Sequence, residues 1–306
     1  MAQIKLASQS KLAWQSKLIL LLVLPFVGAH IVLETHWWIT QDVRVAEWTV
    51  GLSALLGLIT WQMRAATSWA SLAGAAITAS LMFSTVTFPY LPWHTALVPV
   101  LAVSLVAFLA TRAGRSRKER MGTAESRKGR EPAQIAANLG AAAILSSPFT
   151  QSWFVDSRWI PAAAYDPALV LTAGLAALAE AAADTASSEL GQAFGGTPRM
   201  ITTLRRVVAG RDGAVSLAGT AAGIVAALFV AGVGTFALSG GRPMFWISAA
   251  GAVFGLFFDS LLGATAEEAG WVNNDLVNFL STLSAAGFAL LLFALNSVLG
   301  SPIGPR

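Results

Sequence analysis

Glu180 and Asp184 sit four residues apart in the run A-A-L-A-E-A-A-A-D-T-A-S-S-E-L-G, residues 176–191, which is otherwise rich in alanine. At 3.6 residues per turn, Glu180, Asp184, Ser187 and Gly191 share one helix face, and Glu189 follows near the end of the segment. A carboxylate at the centre of a bilayer costs ~2.5–3.5 kcal/mol on insertion scales, so acids in an apolar segment default to function. Two later stretches carry similar groups: D-S-L-L-G, with Asp259, Ser260 and Gly263, and N-N-D-L-V-N, with Asn273, Asn274, Asp275 and Asn278. Carboxylate and amide oxygens are the hard donors that Mg²⁺ prefers, usually shared with substrate phosphates. Glu180, Asp184, Glu189 and Asp259 are accordingly the expected metal-binding set. The segment P-R-M-I-T-T-L-R-R-V-V-A-G-R-D-G-A-V-S, 198–216, offers Thr202, Thr203, Arg205, Arg206, Gly210 and Gly213. Arginine forks and close backbone approach at glycine suit phosphate oxygens. Phosphoryl transfer needs this combination of positioning and charge neutralisation. The chain has no Walker A loop, which excludes a soluble-type nucleotide cradle.

The elements that must position these groups are membrane helices. Hydrophobic residues make up 55% of the 306-residue chain and charged residues 12%, about half the charged share of an ordinary soluble domain. Mean hydropathy is +0.64. The apolar runs approach the ~20 residues that a helix needs to cross the hydrocarbon core, and no ~10-residue alternation of the barrel type occurs. The fold class read from this is all-α, a polytopic transmembrane helical bundle. The chain contains no cysteine, which removes disulfides and thiolate metal sites. Its pI of 9.8 reads as topology and contact with anionic lipid rather than with nucleic acid.

About nine spans are expected, at 18–36, 48–63, 66–88, 95–111, 133–150, 167–190, 215–239, 243–263 and 277–299. The second and third are the weakest pair, because only Gln62, Met63 and Arg64 separate them. The first resembles a signal peptide but is read as an uncleaved anchor, since many spans follow. Trp37, Trp38, Trp93, Trp153, Trp159 and Trp271 fall near span ends, as interfacial aromatics do. Placing the N-terminus inside puts sixteen of the twenty basic residues on the cytoplasmic side, leaving Arg44, Arg158, Arg242 and Arg306 outside, the asymmetry that the positive-inside rule predicts. Two basic loops, 112–131 and 191–214, dominate that side. Polar chemistry begins near residue 112, so the chain divides into N-terminal transmembrane helices, 1–94, and a catalytic-type transmembrane domain, 95–306. With this layout the acids of 180–189, Asp259 and the 273–278 amides gather at the cytoplasmic face. Each group also has a plainer reading: an acid pairs with an arginine, basic loops set topology, and glycines make turns. His30, His36 and His94 read as structural, and Glu267 and Glu268 as solvated.

Five blocks in order carry a resemblance. They are T-R-A-G through G-R-E-P-A-Q-I-A-A-N-L-G, then A-D-T-A-S-S-E-L-G, P-R-M-I-T-T with G-R-D-G-A-V-S, D-S-L-L-G-A-T and N-N-D-L-V-N. Over about residues 95–300 the chain resembles the integral-membrane family that contains plant phytyl-phosphate kinases and the animal transmembrane protein 19. Its Asp-x-x-x-Ser-x-x-Gly element is similar to that of the CTP-dependent dolichol and phytol kinases. The resemblance implies transfer of a phosphoryl group from a nucleoside triphosphate, with CTP favoured, to a prenyl monophosphate. It implies Asp184, Ser188, Glu189, Asp259 and Asn274 as metal or nucleotide ligands, and Arg130, Thr202, Thr203 and Gly213 as phosphate contacts. Ser187 stands where the family usually has Ala, and Arg211 where a Thr is common.

The expected function is a membrane prenyl-phosphate kinase using Mg²⁺ and a nucleoside triphosphate, with its site facing the cytoplasm of a bacterial inner membrane. Asp184, Glu189 and Asp259 are the expected catalytic groups. Arg112, Lys118, Arg127, Arg130, Ser188, Thr202, Thr203, Arg205, Arg206, Gly210, Gly213, Asn274 and Asn278 are the expected substrate and phosphate contacts. Partners are an isoprenoid lipid phosphate and membrane lipids, without nucleic acid; assembly as a homo-oligomer is left open. The alternatives are a prenyl alcohol kinase, a lipid cytidylyltransferase, or an ion- or proton-coupled transporter, which would hold its polar groups near the midplane.

Overall fold

The structure, a computed structural model, describes residues 12–124, 126–156 and 166–300. Lys5, Lys11, Arg158, Trp159 and Arg306, used above for topology, lie outside the described residues. All nine apolar segments are helical. They are α1 (Ala13–Thr40), α2 (Val45–Gln62), α3 (Ser68–Thr85), α4 (Leu97–Arg112), α6 (Pro132–Ser146), α8 (Pro167–Phe194), α9 (Leu217–Ala237), α10 (Arg242–Leu262) and α11 (Asn274–Gly300). Two shorter helices lie between them: α5 (Arg115–Met121), in the first basic loop, and α7 (Pro148–Asp156).

Local chemistry explains where the helices begin. Ser216 Oγ accepts from Gly219 N at 3.1 Å at the start of α9, and Asp166 Oδ1 accepts from Ala168 N at 2.8 Å at the start of α8. Both are side-chain N-caps that satisfy an orphan amide. α6 opens with Pro132, and the Gln134 side chain reaches back to the Glu131 amide at 2.7 Å, one arm of a capping box. The weak junction at Gln62–Arg64 is a true break: Arg64 is left-handed with φ 52°, and Thr67 caps α3. α2 and α3 are therefore two helices.

The expected count of about nine spans is not reached by length and hydropathy. Among the described residues five helical stretches are long and apolar enough to cross: Ala13–Thr40, Pro167–Phe194, Leu217–Ala237, Arg242–Glu267 and Asn274–Asn296. A sixth arises if α4 and α5, bent by 63°, count as one. At 1.5 Å per residue, the 15 residues of α6 fall well short of a ~30 Å hydrocarbon core. α6 is instead largely enclosed by its neighbours, with an unbroken buried run from Ala136 to Ala143.

α8 is the axle of the bundle. Its apolar window is 83% buried, against 22–39% for the other four spanning helices, whose remaining surface suits lipid. α4, α6, α9, α10 and α11 pack around it. Alanine and glycine let backbones approach closely where lipid offers no hydrophobic driving force. A methyl added to Gly251 of α10 would lie 2.6 Å from Ala285 O of α11 and 3.0 Å from Ala176 Cβ of α8.

The polar ends of the helices meet at one face, here called the basic face, and hydrogen bonds across long sequence separations hold it. Gln15 Nε2 donates to Trp271 O at 2.9 Å, and Asn273 N donates to Gln15 Oε1 at 2.8 Å. Ser16 Oγ donates to Asp275 Oδ2 at 2.6 Å. Thr67 N donates to Arg130 O, and Arg130 N to Ala65 O, both at 3.0 Å. The second basic loop is clasped by a two-residue antiparallel ladder, Arg199↔Val215 and Met200↔Ala214, a small departure from an all-α fold. Trp37, Trp93, Trp153 and Trp271 are exposed near helix ends.

Candidate functional site

α8 carries its acids into the basic face. Asp184 and Asp259 of α10 come within hydrogen-bonding reach of one another, and the Arg130 guanidinium bears on Asp184 while its Nη2 donates to Thr185 Oγ1 at 3.3 Å. Ser281 of α11 stands beside both Glu180 and Asp259. Glu180 lies one turn deeper on α8, 1% exposed, in contact with Gly255 of α10, where an added Cβ would meet Glu180 Cγ at 2.6 Å. One buried oxygen of each of two acids, Glu180 Oε1 and Asp259 Oδ1, has no hydrogen-bond partner.

Above Asp184 and Asp259 opens a polar cavity of about 620 Å³. Separate elements line it: Asp184, Ser187, Ser188 and Glu189 from α8, Asp259 and Ser260 from α10, Asn274 and Asn278 from α11, and Gly210–Gly213 from the second loop. Arg130 completes one wall. Gly210 and Gly213 have φ values of 85° and 72°, a left-handed conformation that glycine adopts without strain. A single π-helical turn, Gly263–Glu267, follows α10, an irregularity frequent at functional sites. The Gly213 loop docks on this turn: a Cβ on Gly263 would come 2.8 Å from Gly213 N, and one on Gly213 would strike Ala264. Gly213→Ala is therefore expected to lift the loop off the turn, costing ~1–3 kcal/mol of local strain. Limited proteolysis between residues 199 and 216 would read this as faster cleavage at unchanged overall helicity.

Of the sequence-expected residues, the cavity brings together Asp184, Glu189, Asp259, Arg130, Ser188, Gly210, Gly213, Asn274 and Asn278. Others stand elsewhere. Lys118 is fully buried, and its ammonium donates to Ala110 O at 3.1 Å, to Thr111 O at 2.9 Å and to Glu189. All three donors of an ammonium are thereby used, so the phosphate contact expected of Lys118 has no donor left to make it. Glu189, expected as a catalytic and metal-binding acid, gives its carboxylate to Lys118 and to Thr111 Oγ1. Arg112 stacks over Phe108 at 3.6 Å and donates to Met63 O, outside the cavity. Arg127 pairs with Glu119 at 3.1 Å, on the surface. Hydrogen bonds from Arg115 and Arg127 hold the Glu119 carboxyl below its ordinary range. Thr202, Thr203, Arg205 and Arg206 lie exposed on the outer limb of the clasped loop and do not line the cavity. Glu180 lies beneath it.

Several lining residues escaped the sequence reading. Gln134 and Asn138 face the cavity, and their signal was an i, i+4 pair of amides in an alanine-rich helix. Gln192, Asp212 and Glu267 also line it. Glu267, read as solvated, is brought in by the π turn, while Glu268 pairs with Arg211. His30 is buried against Ser80 at 2.8 Å, as a structural histidine would be.

The donor set fits Mg²⁺ in one mode only. Among the described residues no group of three or more His, Asp or Glu is arranged to hold an ion by itself, so the expected four-carboxylate set does not close around one point. Two adjacent carboxyls with an unpartnered buried oxygen call for a cation or a proton between them. Mg²⁺ is ordinarily held by one or two carboxylates plus substrate phosphates, and Asp184 and Asp259 with the Asn274 and Asn278 amides offer that.

Comparison with known proteins agrees with a membrane fold. The chain is 30% identical over 196 residues to the chloroplast protein VTE6 of Arabidopsis thaliana, covering 63% of this chain and 57% of that protein. It is 37% identical over 119 residues to membrane protein MJ0933 of Methanocaldococcus jannaschii, covering 39% and 50%. It is 34% identical over 209 residues to membrane protein sll0875 of the cyanobacterium Synechocystis, covering 65% and 74%. The chain thus spans only half to three quarters of these relatives. No solved structure matches it. The family described as integral membrane protein DUF92 matches residues 51–286, from within α2 to within α11 and more than three quarters of the sequence; the chain belongs to that family.

Proposed function

We propose that the protein is a lipid-phosphate kinase, transferring the terminal phosphoryl group of a nucleoside triphosphate to an isoprenyl monophosphate at the cytoplasmic surface of the membrane. The observation that carries this reading is the meeting of Asp184 and Asp259, from two helices, at the floor of a polar cavity rimmed by glycine backbone and Arg130. The resemblance of the five ordered blocks to phytyl-phosphate kinases supports the substrate class.

The chemistry asks little covalent work of the protein. A phosphate monoester is a dianion near neutral pH, its second pKa being about 6, so its oxygen attacks without a general base. That oxygen bonds to the γ-phosphorus, the bond to the β–γ bridging oxygen breaks, and the nucleoside diphosphate leaves with that electron pair. Arg130 neutralises the group in transfer, and the 210–213 backbone amides and the Asn274 and Asn278 side chains orient the polyphosphate. Bound Mg²⁺, held by Asp184 and Asp259, would spread the negative charge of the triphosphate. The cavity is built from helix ends and loops of one face, which favours a surface enzyme over a transporter with a midplane site.

The direct test incubates purified protein in detergent with labelled CTP, ATP or GTP, Mg²⁺ and phytyl monophosphate. Lipid diphosphate and nucleoside diphosphate are expected, and EDTA stops their formation. Release of pyrophosphate with a cytidylylated lipid would replace the kinase by a cytidylyltransferase, and activity on phytol alone would make it an alcohol kinase.

A further inference from the structure

A second concavity of about 130 Å³ lies between α2, α3, α4 and α6. Its body is apolar, formed by Leu56, Val100, Val103, Phe108, Ile135 and Leu139. Its end at the basic face is ringed by Arg64, Arg112, Arg130 and Arg115, the last paired with Glu119; among the described residues no Asp or Glu lines it. The polar cavity has the opposite balance, with Asp184, Glu189, Asp212, Asp259 and Glu267 against Arg130 and Arg211. The two spaces are neighbours: Ser126, Arg130 and Asn138 line both.

This polarity sorts the two reactants. The acid-rich cavity repels a bare phosphate and suits a polyphosphate that brings its own cation. The arginine-ringed cleft suits a singly phosphorylated lipid, whose head needs positive charge and whose body needs apolar walls. We propose that this cleft is the acceptor site. It takes the isoprenoid unit next to the phosphate, and Arg130 holds that phosphate at the passage into the nucleotide cavity. The inference rests on the kinase reading and adds where the acceptor enters. Volume limits how much of the tail is held: a cavity of about 150 Å³ holds one benzene, so the cleft accommodates five or six carbons. The walls turn Leu58, Leu72 and Leu105 outward, and the rest of the tail runs along that surface in the lipid. Chain length beyond the first unit is then read weakly.

Gly74 offers a way to close the cleft without disturbing its frame. It lines the space, and an added Cβ would meet only Ile135 Cγ2, at an ordinary 3.6 Å, so the branch of a Gly74→Leu side chain grows into the cleft. The test uses the full chain in lipid nanodiscs and geranylgeranyl monophosphate carrying a diazirine on its first isoprene unit. Crosslinks are expected within residues 56–78 and 100–108, displaced by unlabelled geranylgeranyl monophosphate and not by geranylgeraniol. Gly74→Leu is expected to lower labelling at least tenfold while equilibrium binding of labelled CTP with Mg²⁺ stays unchanged. Labelling on α9–α11, equal displacement by the alcohol, or undiminished labelling of Gly74→Leu overturns the assignment, even if phosphoryl transfer is observed. Crosslinks in the cleft without any transfer support the assignment and defeat the kinase reading instead.

Discussion

Asp184→Asn is expected to reduce phosphoryl transfer at least about a thousandfold, roughly 4 kcal/mol of transition-state stabilisation, with little change in the folded protein. Asparagine keeps the shape of the side chain and removes the charge that, with Asp259, would anchor a cation on the triphosphate. Asp259→Asn should fall in the same range, and the double variant should be little worse than either, because residues that act as a unit are not additive. Initial rates with saturating CTP, Mg²⁺ and phytyl monophosphate measure the effect, and helix content by circular dichroism checks the fold. Turnover within a few-fold of the unsubstituted protein in both single variants would remove the metal-binding role of the pair.

Lys118→Met is expected to destabilise the protein by ~3–5 kcal/mol, the usual consequence of stripping one partner from a buried ion pair. Lys118 is fully buried and the Glu189 side chain 12% exposed. The substitution strands the Glu189 carboxylate together with the carbonyls of Ala110 and Thr111. Glu189→Gln should be milder, since an amide still accepts from the ammonium, and Lys118→Met with Glu189→Leu should recover part of the loss. Denaturant unfolding in detergent reads these values. An unchanged unfolding curve with a large rise in the KM for either substrate would instead return Lys118 to the phosphate-binding role that its sequence position suggests.

These two cases show what could be read from residue order and what could not. Helical spacing placed Asp184, Ser187 and Gly191 on one face, and they line the cavity side of α8. The same spacing could not separate Glu180 from Asp184, because depth rather than face divides them: one turn of helix and the close approach of Gly255 enclose Glu180. Lys118 sits in R-S-R-K-E-R, which reads as a basic loop that sets topology or meets phosphate. Its burial depends on Glu189, 71 residues away, and on the 63° bend between α4 and α5, neither of which leaves a periodic signal. Apolar runs located the nine long helices, including the break at Arg64, but not the charged helix α5 in the first basic loop. Not every apolar run passes for a span by length and hydropathy: α2, α3 and α6 fall short among the described residues, and α6 is apolar through burial in protein rather than contact with lipid.

The hydrogen bonds that join Gln15 and Ser16 to Asn273 and Asp275 impose an order on biogenesis. Their partners are separated by 257 to 259 positions, so the first helix leaves the ribosome long before its anchor is synthesised. During translation its polar tip must wait in contact with headgroups or insertion machinery. Nascent chains that stop short of residue 273 would carry the leading helices yet lack the latch, and quality-control proteases would meet an open assembly until the last helix arrives.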